Sequence, residues 1–477
     1  MNPERMAEHH TVVVVGGGIT GLATAWWLYK AGVDVLVLEH DAVAGGTMKT
    51  LHRDGWLIET GPNSALETTP LLRQLSSDVG IEPEIVYANE TADKRYILRN
   101  GALHPLPMTP RLFLTSRLWS LKGKLRLLKE PFVGRASKEE TIAEFVSRRL
   151  GMEFLDYAIN PFVAGVYAGN PGQLSVRAAF PKLYALEEKY GGLVKGQILG
   201  ARERKKRAEK AKDRSRLFSY RDGMQALPLA IVKALGNRVR TQATVDRVMF
   251  AQENGSAARR IYSVTGNAEG KNFAVDADAV ILATPSYRAA PIIEHFSAPL
   301  ASLLKNIYYP PVAEVYLGFS RSDIGRPLDG FGFLVPAKEQ RTILGTIWSS
   351  VILPGRAPAD RVALTSFVGG ARQPELVSGE DARLIELVTQ ELHSIMNVNG
   401  KPLFAFVTRW EKAIPQYHLG HLSIIQNIEE FEQTRGGIFL SGNYRGGIAV
   451  GDCIINSERT AQRVQAFLMN KTRAIAV

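Results

Sequence analysis

Thr11–Val15 is a short run of β-branched residues, the pattern of a strand buried on both faces of a parallel sheet. Leu22–Ala31 is apolar over the length of a helix, and Val33–Leu38 returns to an apolar strand. The buried-strand pattern recurs at Asp278–Pro285, where a proline turn ends it, and in Gly437–Tyr444, where a strand runs into a turn. Val245–Val248 opens a hairpin-like stretch. Gly446–Gly451 leads into a helix that runs to Leu468. Val312–Gly318 and Arg361–Val368 read as further strands, followed by a helix over Asp381–Met396. Strand, helix and strand in succession predict an α/β fold.

Between the first strand and the first helix stands Gly16-Gly17-Gly18-Ile19-Thr20-Gly21, which fits G-x-G-x-x-G. Gly16 permits the tight turn, Gly18 lets backbone approach a pyrophosphate, and Gly21 lets helix pack on strand. The helix start offers its free N–H groups to the phosphates. Glu39 ends the second strand, 18 residues beyond Gly21, placed to accept hydrogen bonds from a ribose, with His40 beside it. A glycine-rich turn alone is weak evidence. Strand, helix, second strand and terminal acid together point to dinucleotide binding. An acid in that place disfavours the 2′-phosphate of NADP and leaves FAD and NAD.

The length of 477 residues predicts two or three domains. The single cysteine, Cys453, excludes an internal disulfide and a cysteine-rich zinc module. Net charge is +11, which suggests an anionic partner. The excess is regional: residues 95–150 carry 12 basic and 4 acidic side chains, and 182–221 carry 13 and 5. Outside 95–221 the chain is slightly acidic, which argues against nucleic acid as the partner. Arg111–Phe132 interleaves Arg and Lys with Leu, Phe and Trp119 at helical spacing, a pattern that suits a bilayer surface or a soluble helix equally. Ala201–Arg216 is almost purely charged and predicts an exposed helix or flexible segment. The uncharged stretch Thr11–Tyr29 is broken by glycines, so neither a signal peptide nor a membrane span is expected. His418 and His421 lack a third ligand, and no metal is expected.

A second glycine pair, Gly45-Gly46 with Thr47, follows Glu39, and Gly61-Pro62-Asn63-Ser64 follows that. This order resembles the FAD-binding flavin amine oxidase superfamily, with Val43 where that family usually has Arg. Six blocks narrow the likeness: GPNS at 61–64, PFVAGVYAGNPGQLSVRAAFPKL at 161–183, RDGMQALP at 221–228, LGTIWSS at 344–350, RWEKAIPQYHLGH at 409–421 and GNYRGGIAVGDCI at 442–454. Together they resemble the oxygen-dependent protoporphyrinogen/coproporphyrinogen oxidase family over nearly the whole chain.

The resemblance implies FAD as cofactor, a porphyrinogen as substrate and molecular oxygen as acceptor. Six electrons leave in three two-electron steps, giving porphyrin and hydrogen peroxide. Protoporphyrinogen IX is the expected substrate, with coproporphyrinogen III as the alternative; a flavoprotein that binds porphyrin without turnover is a third reading. Matching positions add Gly46, Thr47, Gly61, Pro62, Asn63, Ser64, Val245, Trp410, Asn443, Ile448, Ala449 and Val450 to the FAD contacts of Gly16–Gly21, Glu39 and His40. Asn443 stands where the superfamily commonly has an acid. Arg95 is expected to pair with a substrate propionate, Leu334 and Trp348 to sandwich the pyrrole rings, and Gly169 to bring backbone close to them. No general base is assigned.

The expected architecture is a discontinuous Rossmann-like FAD-binding domain (1–85, 222–290 and 405–477), an α+β substrate domain (291–404 with parts of 60–95) and a helical membrane-binding domain (95–220). The expected location is the cytoplasmic face of a membrane, held peripherally at an anionic surface, or the cytoplasm; a homodimer stays open.

Overall fold

A computed structural model of the chain describes residues 8–206, 216–251 and 261–475. It is a mixed α/β structure built on two seven-stranded sheets. In the first, strand β1 (Glu8–Val15) lies between β2 (Val35–Leu38) and the long strand Lys271–Leu282, parallel to both. Val239–Arg240 extends the parallel array beyond β2. The early part of Lys271–Leu282 pairs antiparallel with Ile261–Ala268, and its last residues pair parallel with Ile438–Leu440. Val12, Val13 and Val14 are wholly enclosed, as the run of β-branched residues requires. Each such side chain contributes about 1.5–3 kcal/mol on burial.

Helix α1 (Ile19–Lys30) packs on one face of this sheet and against the terminal helix Val450–Ile475. It is covered nearly all round, with every residue from Thr20 to Leu28 buried, which is why it lacks a polar stripe. Ser286–Ile293, Ala298–Lys305 and His421–Arg435 cover the opposite face.

The second sheet runs in the order 404–410, 312–320, 361–369, 343–347, 330–334, 94–99, 102–105. All its pairs are antiparallel except Gly330–Leu334 with Lys94–Arg99. Asp381–Met396 closes one face. The hairpin at 94–105 and the strand Phe404–Trp410 therefore belong to this sheet.

Between the hairpin and Lys206 the chain is helical. The single amphipathic stretch expected over Arg111–Phe132 is instead Pro110–Thr115, Leu121–Arg126 and a 3₁₀ turn at Leu127–Phe132. Ser120 caps the second piece through the N–H of Gly123. The break turns Leu118 and Trp119 inward, Trp119 stacking on Phe154 at 4.2 Å. It leaves Leu112, Leu114, Leu121, Leu125, Leu128 and Phe132 exposed. Of the basic run Ala201–Arg216, the backbone to Lys206 continues the helix Leu193–Lys206, and 207–215 lie outside the described residues.

A buried ion cluster holds this segment together. Arg149 meets Glu130 at 2.9 Å and also Glu187, while Arg148 meets Glu140 at 2.5 Å and Glu187 at 3.0 Å. Glu130 also accepts the N–H groups of Leu193 (2.7 Å) and Val194 (3.1 Å), capping the helix that begins there. Replacing Arg149 leaves the buried Glu130 carboxylate without a cation and Glu187 with Arg148 alone, so Arg149→Leu is expected to lower unfolding free energy by about 3–5 kcal/mol. Urea unfolding followed by circular dichroism checks this; a change under about 1 kcal/mol, the range of an exposed pair, would contradict it.

Candidate active site

The turn after β1 brings three stretches of backbone into contact. Gly45 N–H donates to Gly17 C=O at 2.8 Å, and Gly18 and Gly45 form an isolated parallel bridge. A Cβ at Gly21 would stand 2.0 Å from Gly16 O, so only glycine lets the helix approach the strand. A Cβ at Gly61 would stand 2.0 Å from Thr47 O, the same requirement where the third stretch passes the second. Gly18 differs: its nearest neighbour in that direction is Gly46 Cα at 3.9 Å, leaving space for an approaching group.

Gly18 begins α1 without a side-chain cap, so Ile19 and Thr20 lead a first turn whose N–H groups are available to an anion. The Glu39 carboxylate accepts Gly17 N–H at 2.5 Å and Asp41 N–H at 2.7 Å, fixing it beside the glycine turn with lone pairs to spare. His40 bonds Thr244 at 2.7 Å, and Val245 lies at the bulge that follows. These residues are brought together at one end of the parallel strands.

The third stretch of backbone is the turn Gly61–Ser64, in which all four residues are half-buried. Trp410 Nε1 donates to Thr60 C=O at 2.6 Å, tying the turn to the second sheet. Asn63 Nδ2 donates to Gly61 C=O at 3.1 Å and to Glu314 at 3.5 Å. Burial raises Glu314 well above the usual carboxylate range; its neighbour Glu59 is pushed up to about 7, again by burial, against bonds from Thr50 and Met224.

Asn443, Ile448, Ala449 and Val450 surround the start of the terminal helix. Tyr417 O–H donates to Asn443 C=O at 2.5 Å and accepts Gly447 N–H at 3.0 Å. Its ring stacks on His421 at 4.1 Å, and His421 Nε2 meets Tyr444 C=O at 2.9 Å, so that nitrogen carries the proton. Burial lowers the His421 pKa to about 4, so the ring is neutral. His421 is thus a prop under a turn.

Of the expected substrate residues, Leu334 packs in the apolar cluster that also takes in Tyr167, Tyr417 and Ile448. It nearly touches Gly165, where a Cβ would stand 2.5 Å from Leu334 Cδ2. Gly169 lies against Gln416, whose Oε1 would be 2.4 Å from a Cβ there. Arg95 is exposed, its guanidinium 5.7 Å above the Phe331 ring, and it makes no ion pair among the described residues. Trp348 corrects the expectation: it is wholly enclosed beneath the sheet, 5.8 Å from the Tyr96 ring and in a different cluster from Leu334. The two do not bracket a common space.

Sequence reasoning missed Glu59, Glu314, Gln416 and Tyr417. A signal existed for Glu314, the one charged residue in the otherwise apolar run Val312–Gly318.

The family described as flavin containing amine oxidoreductase matches residues 19–465. The chain is 36% identical over 484 residues to the chloroplastic protoporphyrinogen oxidase of Oryza sativa subsp. japonica, covering 96% of this chain and 88% of that one. It is 30% identical over 477 residues to coproporphyrinogen III oxidase of Bacillus subtilis (strain 168), covering 96% and 98%. A crystal structure from Exiguobacterium sp. 255-15 superposes with a TM-score of 0.79 at 25% identity, covering 97% of this chain and all (100%) of that one. The chain belongs to the flavin-containing amine oxidoreductases and, within them, to the protoporphyrinogen/coproporphyrinogen oxidase family. It is an FAD-dependent oxidoreductase.

The residues present fit FAD. The space beside Gly18, the uncapped start of α1 and the acid at Glu39 suit a pyrophosphate and ribose. Thr284 Oγ1, buried beside Gly16, lacks a protein partner among the described residues. Removing the Tyr417 hydroxyl releases two bonds to the turn at 443–447, each worth about 0.5–1.5 kcal/mol. Tyr417→Phe is therefore expected to weaken FAD binding on the order of tenfold while keeping the ring stacked on His421. Titration of apoprotein with FAD, read by flavin fluorescence, checks this; unchanged affinity would contradict it.

Proposed function

We propose that the chain oxidises protoporphyrinogen IX to protoporphyrin IX in tetrapyrrole biosynthesis, removing six electrons in three two-electron steps. Oxygen is the acceptor and hydrogen peroxide the second product. The observation that carries this reading is identity of 36% to a protoporphyrinogen oxidase across 96% of the chain, on a fold whose glycine turns fit FAD. Coproporphyrinogen III is a second reading, favoured by the Bacillus subtilis relative, matched over nearly its full length.

Bound FAD supplies the redox chemistry. The chain's own residues bind, orient and exclude water. Leu334, Tyr167 and the Gly165–Gly169 stretch offer an apolar wall to the flat pyrrole rings. Arg95, without an ion pair among the described residues, offers its guanidinium to a propionate. The parallel-sheet unit is the discontinuous Rossmann-like FAD-binding domain, and the second sheet with its helix is the substrate domain. The helical segment faces a membrane peripherally. No helix among the described residues is long and apolar enough to cross one.

Under air, porphyrin fluorescence is expected to grow from protoporphyrinogen IX, with about three peroxides per porphyrin as the six-electron stoichiometry requires. Growth from coproporphyrinogen III alone selects the second reading, and growth from neither overturns both. Arg95→Ala is expected to raise the apparent KM about tenfold at unchanged FAD content, the loss of one charge-assisted hydrogen bond; loss of FAD with KM unchanged would contradict the propionate role.

The membrane reading rests on the exposed Leu112, Leu114, Leu121, Leu125, Leu128 and Phe132, interleaved with exposed Arg111, Arg117, Lys122 and Lys129. The protein is expected to sediment with anionic liposomes, and Leu121→Asp with Phe132→Asp to abolish this without loss of turnover in detergent. Failure of the unmodified protein to sediment at low and high salt alike would refute it.

A further inference from the structure

Glu314 sits mid-strand in Val312–Ser320, opposite Thr408 on one side and Phe367 on the other. It is 7% exposed. Two residues earlier on the same face, Val312 is opposite Trp410, which holds Thr60. Two residues later, Tyr316 packs against Trp56. On the Val312 side the neighbours are Ala164, Ala168 and Leu344. A carboxyl group thus stands between two apolar patches, where the Gly61–Ser64 turn meets the second sheet.

No Lys, Arg or His lies within ion-pair distance of Glu314 among the described residues. The charged group that acts on it is Glu59, from the hairpin below, and Arg356 stands beside Glu59 at 3.7 Å. Its other neighbours are neutral. Its side chain accepts a hydrogen bond from Asn63 Nδ2 at 3.5 Å. An ionised carboxylate there would have one neutral donor and a neighbouring acid, which is costly; the un-ionised acid fits.

The Gly61 carbonyl decides how Asn63 stands, and Glu314 offers the same Nδ2 a second acceptor. Its Nδ2 is committed to Gly61 C=O at 3.1 Å and to Glu314, and a carbonyl can only accept, so the amide orientation is fixed. Oδ1 is left as the free acceptor. A porphyrinogen presents its pyrrole nitrogens as N–H donors, the complementary chemistry.

We propose that Glu314 is a positioning residue for the reaction: an un-ionised acid that pins the Asn63 amide so that its Oδ1 meets a pyrrole N–H of the substrate. The inference rests on the porphyrinogen reading above. Glu314 exchanges no electrons or protons in this role. At alkaline pH, ionisation of Glu314 beside Glu59 disorders the pair, and turnover falls.

The test compares Glu314→Leu and Glu314→Gln with the unmodified holoenzyme, using protoporphyrinogen IX from pH 6 to 10. Glu314→Leu is expected to lower kcat/KM about fivefold or more at equal FAD content, the loss of one hydrogen bond. Glu314→Gln keeps an acceptor for Asn63 and is expected to recover most of that loss while abolishing the alkaline fall. A visible-absorbance pH titration of the bound flavin without substrate gives a second readout: an alkaline transition in the unmodified protein that is absent from Glu314→Gln. Turnover by Glu314→Leu equal to that of the unmodified protein at every pH would overturn the proposal. So would a Gln variant as impaired as the Leu variant, since that outcome assigns proton transfer to the acid. If the unmodified protein oxidises neither porphyrinogen, the porphyrinogen reading fails, and the flavin titration still decides whether Glu314 ionises beside the cofactor.

Discussion

Backbone meeting backbone, with no side chain between, is the constraint from which the cofactor groove follows. The turn after β1, the Gly45–Gly46 pair and the Gly61 turn lie in series, each touching the next through main-chain atoms. Gly45 N–H to Gly17 C=O joins the first two, and Thr60 N–H to Lys49 C=O at 3.0 Å joins the stretches that carry the second and third. Any Cβ at Gly21 or Gly61 would push this stack apart. Most of its N–H groups are spent within the stack, and the uncapped start of α1 supplies the donors left open to an anion.

The second sheet is attached to this stack by polar contacts of unusual reach. Trp410 holds Thr60, and Arg356 holds Ser219 at 2.6 Å and Tyr220 C=O at 3.3 Å. Trp56 stacks on Phe404 at 5.5 Å across the same junction. Arg356 is nearly enclosed, and its guanidinium has Glu59 as its nearest acid. The junction between the sheets is therefore a place of partly balanced buried charge. Glu59 keeps a proton to near neutrality there because burial outweighs the bonds and the cation that oppose it.

Local chemistry made the glycine turns readable from sequence, and non-local geometry hid much of the remainder. Gly16–Gly21 and Glu39 are legible because strand, turn, helix and acid are neighbours in the chain and each has a physical duty at fixed spacing. The expectation for Trp348 rests on a resemblance of motif, which carries no information on burial, and the register shifts at Gly330/Gly332 and Ile343/Gly345 interrupt the alternation that could have shown it. A bulge exchanges the two faces of a strand, so counting by twos fails beyond it. Trp119 was misread for a similar reason: the helical period over Arg111–Phe132 is broken at Ser116–Ser120, and the residues beside the break turn inward. Tyr417 and Gln416 lie within the block 409–421, but their partners Asn443, Gly447 and Tyr167 are distant in sequence, and no spacing rule reaches them.

The order of strands in the first sheet also sets an order of events during synthesis. β2 can pair with one flank of β1 as soon as both emerge, since Val12 is opposite Val35. The other flank waits for Lys271–Leu282, and that strand in turn waits for Ile438–Leu440. The helix that covers α1 is the last in the chain. A nascent chain of half length therefore exposes an all-valine edge and an apolar helix at the same time, a combination prone to aggregation. Such a chain stays open to aggregation until Lys271–Leu282 closes the second flank of β1.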